Sequence, residues 1–175
     1  MKHFFIRIPL FFIILIFSNC EETINDSIGN DTFSCRIDGK LFVPKAGNGI
    51  GGGKTRPFSW GYTNFDKSEN PFHFSIYSTG DYILSIKIIN PELGTNILNE
   101  PLIHTFDIGH TGMIVHNNIQ FFNTKDKQEN GFVNFTELSA TRAIGTFECT
   151  LFDKNGKELK VTQGKFNLSI DSSTN

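Results

Sequence analysis

The strongest constraint on this chain is a two-residue alternation of apolar side chains, cut into short runs by turn-forming residues. Phe33, Cys35 and Ile37 alternate with polar neighbours, so they share one face of an extended segment. Asp38-Gly39 follows, a pair suited to the positive φ that both central positions of a type I′ hairpin turn require. The return run Lys40–Pro44 then sets Phe42 opposite Cys35. Phe58, Trp60 and Tyr62 repeat the alternation, as do Phe72, Phe74 and Ile76, and then Tyr82, Leu84, Ile86 and Ile88. Further strands are expected at Thr95–Leu98, Leu102–Asp107, Met113–Phe122, Phe132–Glu137, Thr141–Asp153 and Lys157–Ile170. Met113, Val115, Ile119 and Phe121 are expected to point inward, and so are Phe147, Cys149 and Leu151. In the last run Leu159 and Val161 lie in one phase, and Phe166, Leu168 and Ile170 in the other. A bulge near Gly164 would reconcile them.

About ten short strands with turn signals between them predict an all-β domain, either an antiparallel β-sandwich or a small β-barrel. The 19 phenylalanines, with Ile, Thr and Gly, fit strands better than helices. No run keeps a 3.6-residue period, although residues 89–99 could hold a helical turn. The domain is expected over residues 32–171, followed by a disordered tail at 172–175.

The first residues carry an address. Lys2 and Arg7 precede an apolar run, Ile8 to Phe17, that is too short to span a bilayer, which takes about 20 apolar residues. Phe17-Ser18-Asn19 lacks the small-residue arrangement of an ordinary secretory cleavage site. A cysteine closing the run, Cys20, resembles a bacterial lipobox, although Phe17 and Asn19 stand where Leu and a small residue are usual. The resemblance implies a signal peptide over residues 1–19, cleavage before Cys20, and a thiol carrying diacylglyceryl with acyl groups such as palmitate. The alternative is an uncleaved signal anchor with an incidental cysteine. Each buried acyl CH₂ contributes roughly 0.8 kcal/mol, so two or three chains hold a protein on a membrane where one does not. Residues 20–31 are polar and aperiodic and read as a flexible tether.

Losing Lys2 and Arg7 would take the formal charge from −2 to −4. With no basic run in the chain, nucleic acid is not an expected partner. The partner implied is the membrane, through lipid on Cys20.

Two motifs then coincide. Phe33-x-Cys35-x-Ile37-Asp38-Gly39-Lys40-x-Phe42 resembles the opening of an uncharacterised family of Bacteroidetes lipoproteins, a domain of unknown function. Gly145-Thr146-Phe147-Glu148-Cys149, Asn155-Gly156 and Val161-Thr162-x-Gly164-x-Phe166 resemble its ending. The resemblance implies location and architecture: a lipid-anchored, outer-membrane β-domain on either the periplasmic or the surface face. It implies no activity.

Candidate chemistry is sparse. Cys35 and Cys149 both point inward in these phases. Were the first and penultimate strands adjacent, the two could form a disulfide contributing about 4–5 kcal/mol in the chain-entropy account; otherwise they are buried thiols packed against Phe33 and Phe147. Residues 47–53 carry five glycines before Lys54-Thr55, but Asn48 stands where a phosphate loop needs glycine, and a strand follows where it needs a helix. Trp60 and Tyr62, if exposed beside that loop, would offer rings for a sugar to stack on; if buried, they are core. His104, Asp107, His110 and His116 match no zinc spacing. Asp153-Lys154-Asn155-Gly156 opens like a calcium loop but lacks the closing glutamate. No nucleophile elbow or selected acid–base pair is present, so no metal, cofactor or catalysis is expected. The expected role is a non-catalytic ligand-binding or accessory module, glycan-related in one form. The alternative is a structural or protein-interaction lipoprotein with no small ligand.

The address makes a prediction about mass. Detergent-extracted protein is expected to start at Cys20 and to carry diacylglyceryl plus acyl groups by intact mass spectrometry. A full-length mass, or cleavage elsewhere without lipid, would remove the lipoprotein reading.

Overall fold

The structure, a computed structural model, describes residues 31–45, 57–63, 73–102, 110–117, 119–139 and 141–169. They form eleven strands and no helix. In chain order these are β1 (Thr32–Ile37), β2 (Lys40–Phe42), β3 (Phe58–Thr63), β4 (His73–Ser78), β5 (Ile83–Ile89) and β6 (Gly94–Leu98). Then come β7 (Gly112–His116), β8 (Phe121–Asn123), β9 (Gly131–Leu138), β10 (Arg142–Phe152) and β11 (Glu158–Ser169). All belong to one antiparallel sheet curled into a half-barrel, in the order β2-β1-β11-β10-β8-β7-β5-β4-β3. The β9–β6 pair lies beside β10, on the edge it shares with β8. The expected choice between sandwich and barrel is therefore resolved as one curled sheet.

The two arms of the curl face each other across phenylalanine rings. Phe74 on β4 meets Phe135 on β9 edge-on at 4.9 Å and lies 6.1 Å from Phe166 on β11. Phe166 continues to Phe147, Phe147 stacks on Phe33 at 5.3 Å, and Phe33 reaches Phe58 on β3 at 6.1 Å. Aromatic pairs in these arrangements add about 0.5–1.5 kcal/mol beyond the area they bury. The ends of the arms are tied by backbone. Lys45 N donates to Thr79 O, and Thr79 N donates to Pro57 O, both at 2.9 Å.

The first hairpin forms as expected, with Cys35 opposite Phe42 and positive φ at Asp38 (46°) and Gly39 (78°). The parity change in β11 is also present. Leu159 and Val161 are buried, Thr162 and Gln163 are not, and Gly164, Phe166 and Leu168 are buried again. Both neighbouring registers slip there, and Gln163 takes φ 52°. A Cβ on Gly164 would lie 2.6 Å from the Phe147 ring, so the ring occupies the place that the bulge leaves.

Two expectations change. Met113–Phe122 is not one strand. Asn117 Oδ1 accepts from Ile119 N and Gln120 N, both at 2.9 Å, and turns the chain into a β7–β8 hairpin. The phase flips across that turn, so Ile119 and Phe121 are 87 % and 61 % exposed while Phe122 is buried. Residues 89–99 hold no helical turn; positive φ at Asn90 and Gly94 bends the chain into β6. Phe72, Ile103–Asp107 and Ile170–Asn175 lie outside the described residues, so the tail and most of the expected 102–107 strand do too.

Two substitutions test this packing. Phe74→Ala is expected to cost about 3–5 kcal/mol in denaturant unfolding, because the ring is fully buried between the arms. Gly164→Val is expected to cost about 1–3 kcal/mol or more, since a Cβ there would meet both the carbonyl oxygen and the ring of Phe147.

Candidate functional site

Among the described residues, the rings described above occupy the space between the arms. The outer face is different. Across β6, β9, β10, β11, β1 and β2, one row of outward side chains runs perpendicular to the strands. It reads Ile97, Phe132, Glu148, Thr162, Arg36 and Leu41, each opposite the next or set beside it at the bulge. Thr150 and Lys160 form the neighbouring pair. Between these side chains lies an open groove of about 220 Å³, lined by Phe132, Glu148, Thr150, Lys160 and Thr162 over the backbone of β9–β11.

Local bonds hold this surface in place. Glu148 Oε1 accepts from the bulged Gln163 N at 3.3 Å. Arg36 Nε donates to Gln163 Oε1 at 2.8 Å, and its Nη1 donates to Gly39 O at 3.0 Å. Lys160 N donates to Asp38 Oδ1 at 2.8 Å, tying the first hairpin to β11. The groove thus combines a half-exposed aromatic ring, two hydroxyls, one carboxylate and one ammonium on a firmly bonded sheet. Such a set can stack an apolar ring face and exchange hydrogen bonds with hydroxyl-rich ligands.

The residues singled out from sequence are placed differently. Trp60 and Tyr62 are half-buried on the inner face of β3 and pack on Phe74 at 6.2 and 5.7 Å. Tyr62 donates its hydroxyl to Ser139 O at 2.7 Å, and burial pushes its pKa up to about 12. The alternation Phe58-Trp60-Tyr62 points them at the core, the second of the two expected placements, and the glycine-rich loop beside them lies outside the described residues. Cys35 and Cys149 are both free and buried. β11 lies between their strands, contrary to the adjacency the disulfide needed. Two strand spacings of about 4.8 Å exceed the roughly 7 Å limit between bridged Cα atoms.

Asp153 closes the β10–β11 hairpin: its Oδ1 accepts from Asn155 N and Lys157 N at 2.8 Å each. Those backbone bonds lead the causes that hold its pKa below the usual carboxylate value. His116 stacks on Phe121 at 4.7 Å. Cys20, residues 47–53, His104 and Asp107 lie outside the described residues. Among the described residues no three His, Cys, Asp or Glu side chains are grouped to hold a metal ion.

The groove's residues come from the consecutive strands β9, β10 and β11, and alternation along each strand does not show that their outward side chains border a groove. The one available signal was the β11 parity change, which marks where Thr162 and Gln163 turn outward. No family model, curated protein or solved structure matches the chain.

The thiols give a prediction. Burial pushes both pKa values up from about 9 to about 12. Native protein at pH 8 is expected to label slowly with a thiol reagent at Cys35 and Cys149, and rapidly once unfolded, equally with and without prior reduction. Because the folded pKa is raised, the two thiols' contribution to stability is complete below pH 9 and is lost as pH rises from 9 to 12. The check is a denaturant midpoint measured across that range against a Cys35→Ala, Cys149→Ala double variant, whose own midpoint should fall less.

Proposed function

We propose that the protein is a lipid-anchored cell-envelope module that binds a ligand without transforming it. In this reading Cys20 carries the lipid, residues 20–31 form the tether, and the β-domain stands at the outer membrane. The resemblance of the two end motifs to Bacteroidetes lipoproteins supports that setting. The binding surface is the outer groove of β9–β11, and the ligand class is a glycan. What carries the reading is the meeting of Phe132, Glu148, Thr150, Lys160 and Thr162 around one open groove of about 220 Å³. The ring suits the apolar face of a sugar, and the hydroxyls, carboxylate and ammonium suit its hydroxyl groups. Among the described residues, Glu148 is the single carboxylate lining the groove, which favours binding over hydrolysis by paired carboxylates.

A second reading has its own observation. The filled, phenylalanine-packed interior favours a structural or protein-interaction role with no small ligand.

A glycan array probed with the detergent-solubilised full chain separates the two. The glycan reading expects binding to at least one glycan class. Phe132→Ala and Glu148→Gln should each weaken it about tenfold or more, while the thermal midpoint moves little because both side chains face outward. An array without signal, or binding unaffected by both substitutions, would overturn the glycan assignment.

A further inference from the structure

A continuous sheet has edges, and this one treats them unequally. β2 is three residues long, begins at Lys40 and runs into Pro44 and Lys45. Lys45 N is already bonded to Thr79 O. β3 is fastened at both ends, by Pro57 O to Thr79 N and by the Tyr62 hydroxyl to Ser139 O. Short length, charge, proline and covering contacts are the usual ways to keep an edge from recruiting another strand. β6 keeps its prolines and charges to its flanks, at Pro91, Glu92, Glu100 and Pro101. Its five residues, Gly94 to Leu98, carry no charge and no proline. Its one strand partner among the described residues is β9.

Leu98 turns its carbonyl toward the β9 side, where it accepts from Asn130 N at 3.0 Å. Alternation along the strand then sends the backbone groups of Thr95 and Ile97 to the opposite edge. An open groove of about 370 Å³ adjoins β6, lined by Ile88, Ile89 and Ile97 with Asn96 and Glu100. Ile97 is 39 % exposed, and Leu93, just before the strand, is 68 % exposed.

From these observations we infer that the β6 edge and its groove are a docking site for an extended, basic polypeptide segment of a partner protein, which adds to the sheet as a twelfth strand. Main-chain bonds to Thr95 and Ile97 would align the segment, and its alternate side chains would meet Ile97 and the partly exposed Ile89. Charge selects the occupant. Among the described residues, Glu100 is the one charged residue lining the groove. Its Oε2 accepts from Thr111 N at 2.6 Å, which fixes the carboxylate there, and Glu92 stands just before the strand. A second copy of this chain fits poorly: antiparallel pairing centred on Asn96 would set Glu92 of one copy opposite Glu100 of the other. Opposed like charges weaken such a pairing. A strand with Lys or Arg at its ends turns the same two carboxylates into attractions. This site is separate from the outer groove and stands or falls independently of it.

The test uses the full chain in detergent and two fluorescent seven-residue peptides of alternating Thr and Val, one ending in Lys on both sides and the other in Glu. Fluorescence anisotropy is expected to show the Lys peptide binding about tenfold or more tightly than the Glu peptide. Amide hydrogen exchange should slow at Thr95 and Ile97 when it binds. Glu100→Gln keeps an acceptor for Thr111 N and should narrow the discrimination between the peptides, and adding Glu92→Gln should erase it. Ile97→Pro removes an edge N–H and should abolish binding. Equal binding of both peptides, no binding of the Lys peptide at millimolar concentration, or unchanged exchange at Thr95 and Ile97 would each overturn the proposal. So would a concentration-dependent dimer of the chain that Ile97→Pro disperses.

Discussion

Everything in this fold depends on a run of aromatic contacts that holds two arms of one sheet together. Tyr62 and Trp60 lean on Phe74; Phe74 meets Phe135 and Phe166; Phe166, Phe147 and Phe33 lead back to Phe58 on the strand that carries Trp60. The path crosses from β3 and β4 to β9, β11, β10 and β1, then returns to β3. A curled sheet without such a path would have two apolar inner faces and no reason to stay bent. Large rings suit the task because each reaches across roughly the 10 Å that separates facing sheets. The abundance of phenylalanine is thus a geometric requirement of the curl as well as a strand preference.

The bulge in β11 is the second condition, and it links the core to the outer surface. A twelve-residue strand in a strongly curved sheet must turn, and one extra residue at Thr162-Gln163 lets it do so. The same step moves the inward set from odd to even positions, so that Val161 and Phe166 both reach the interior. Gly164 is the residue over which Phe147 lies, so the bulge and the aromatic path share an atom-level contact. Outside, the displaced Gln163 offers its N–H to Glu148 and its side-chain oxygen to Arg36. The order of the outer groove is therefore a consequence of how the inner face is kept in phase.

Much of this architecture was legible in the sequence, and the parts that were not share a cause. Asp38-Gly39 specified the first hairpin and the Cys35–Phe42 pairing, because two-residue turns fix register locally. The odd-to-even change around Gly164 located the bulge for the same local reason. Ile119 and Phe121 were misread because Asn117 inserts a tight Asx-type turn that resets the phase inside an apparently continuous run. The cysteine pairing depended on strand order, and spacing along the chain says nothing about which strand lies between β1 and β10. Trp60 and Tyr62 illustrate a further limit: alternation put them on one face with Phe58, but only the position of Phe74 and Ser139 tells which face that is.

A filled interior moves the question of function to the outside of the sheet. The inner face is committed to rings that cannot yield space without losing contacts on both arms. The outer face is not so committed, and there the side chains change character: Glu148, Thr150, Lys160, Thr162 and Arg36 stand where no packing requirement selects them. The described lining of the groove holds one ammonium, Lys160, and one carboxylate, Glu148, a balance that suits a neutral, hydroxyl-rich ligand better than a strongly charged one. The opposite holds at β6, where the described residues lining the groove include Glu100 and no cation. Two surfaces of one sheet thus differ in charge balance and in free backbone groups. A side-chain groove recognises a compact ligand by its polar pattern, whereas a free edge recognises any chain that can extend along it.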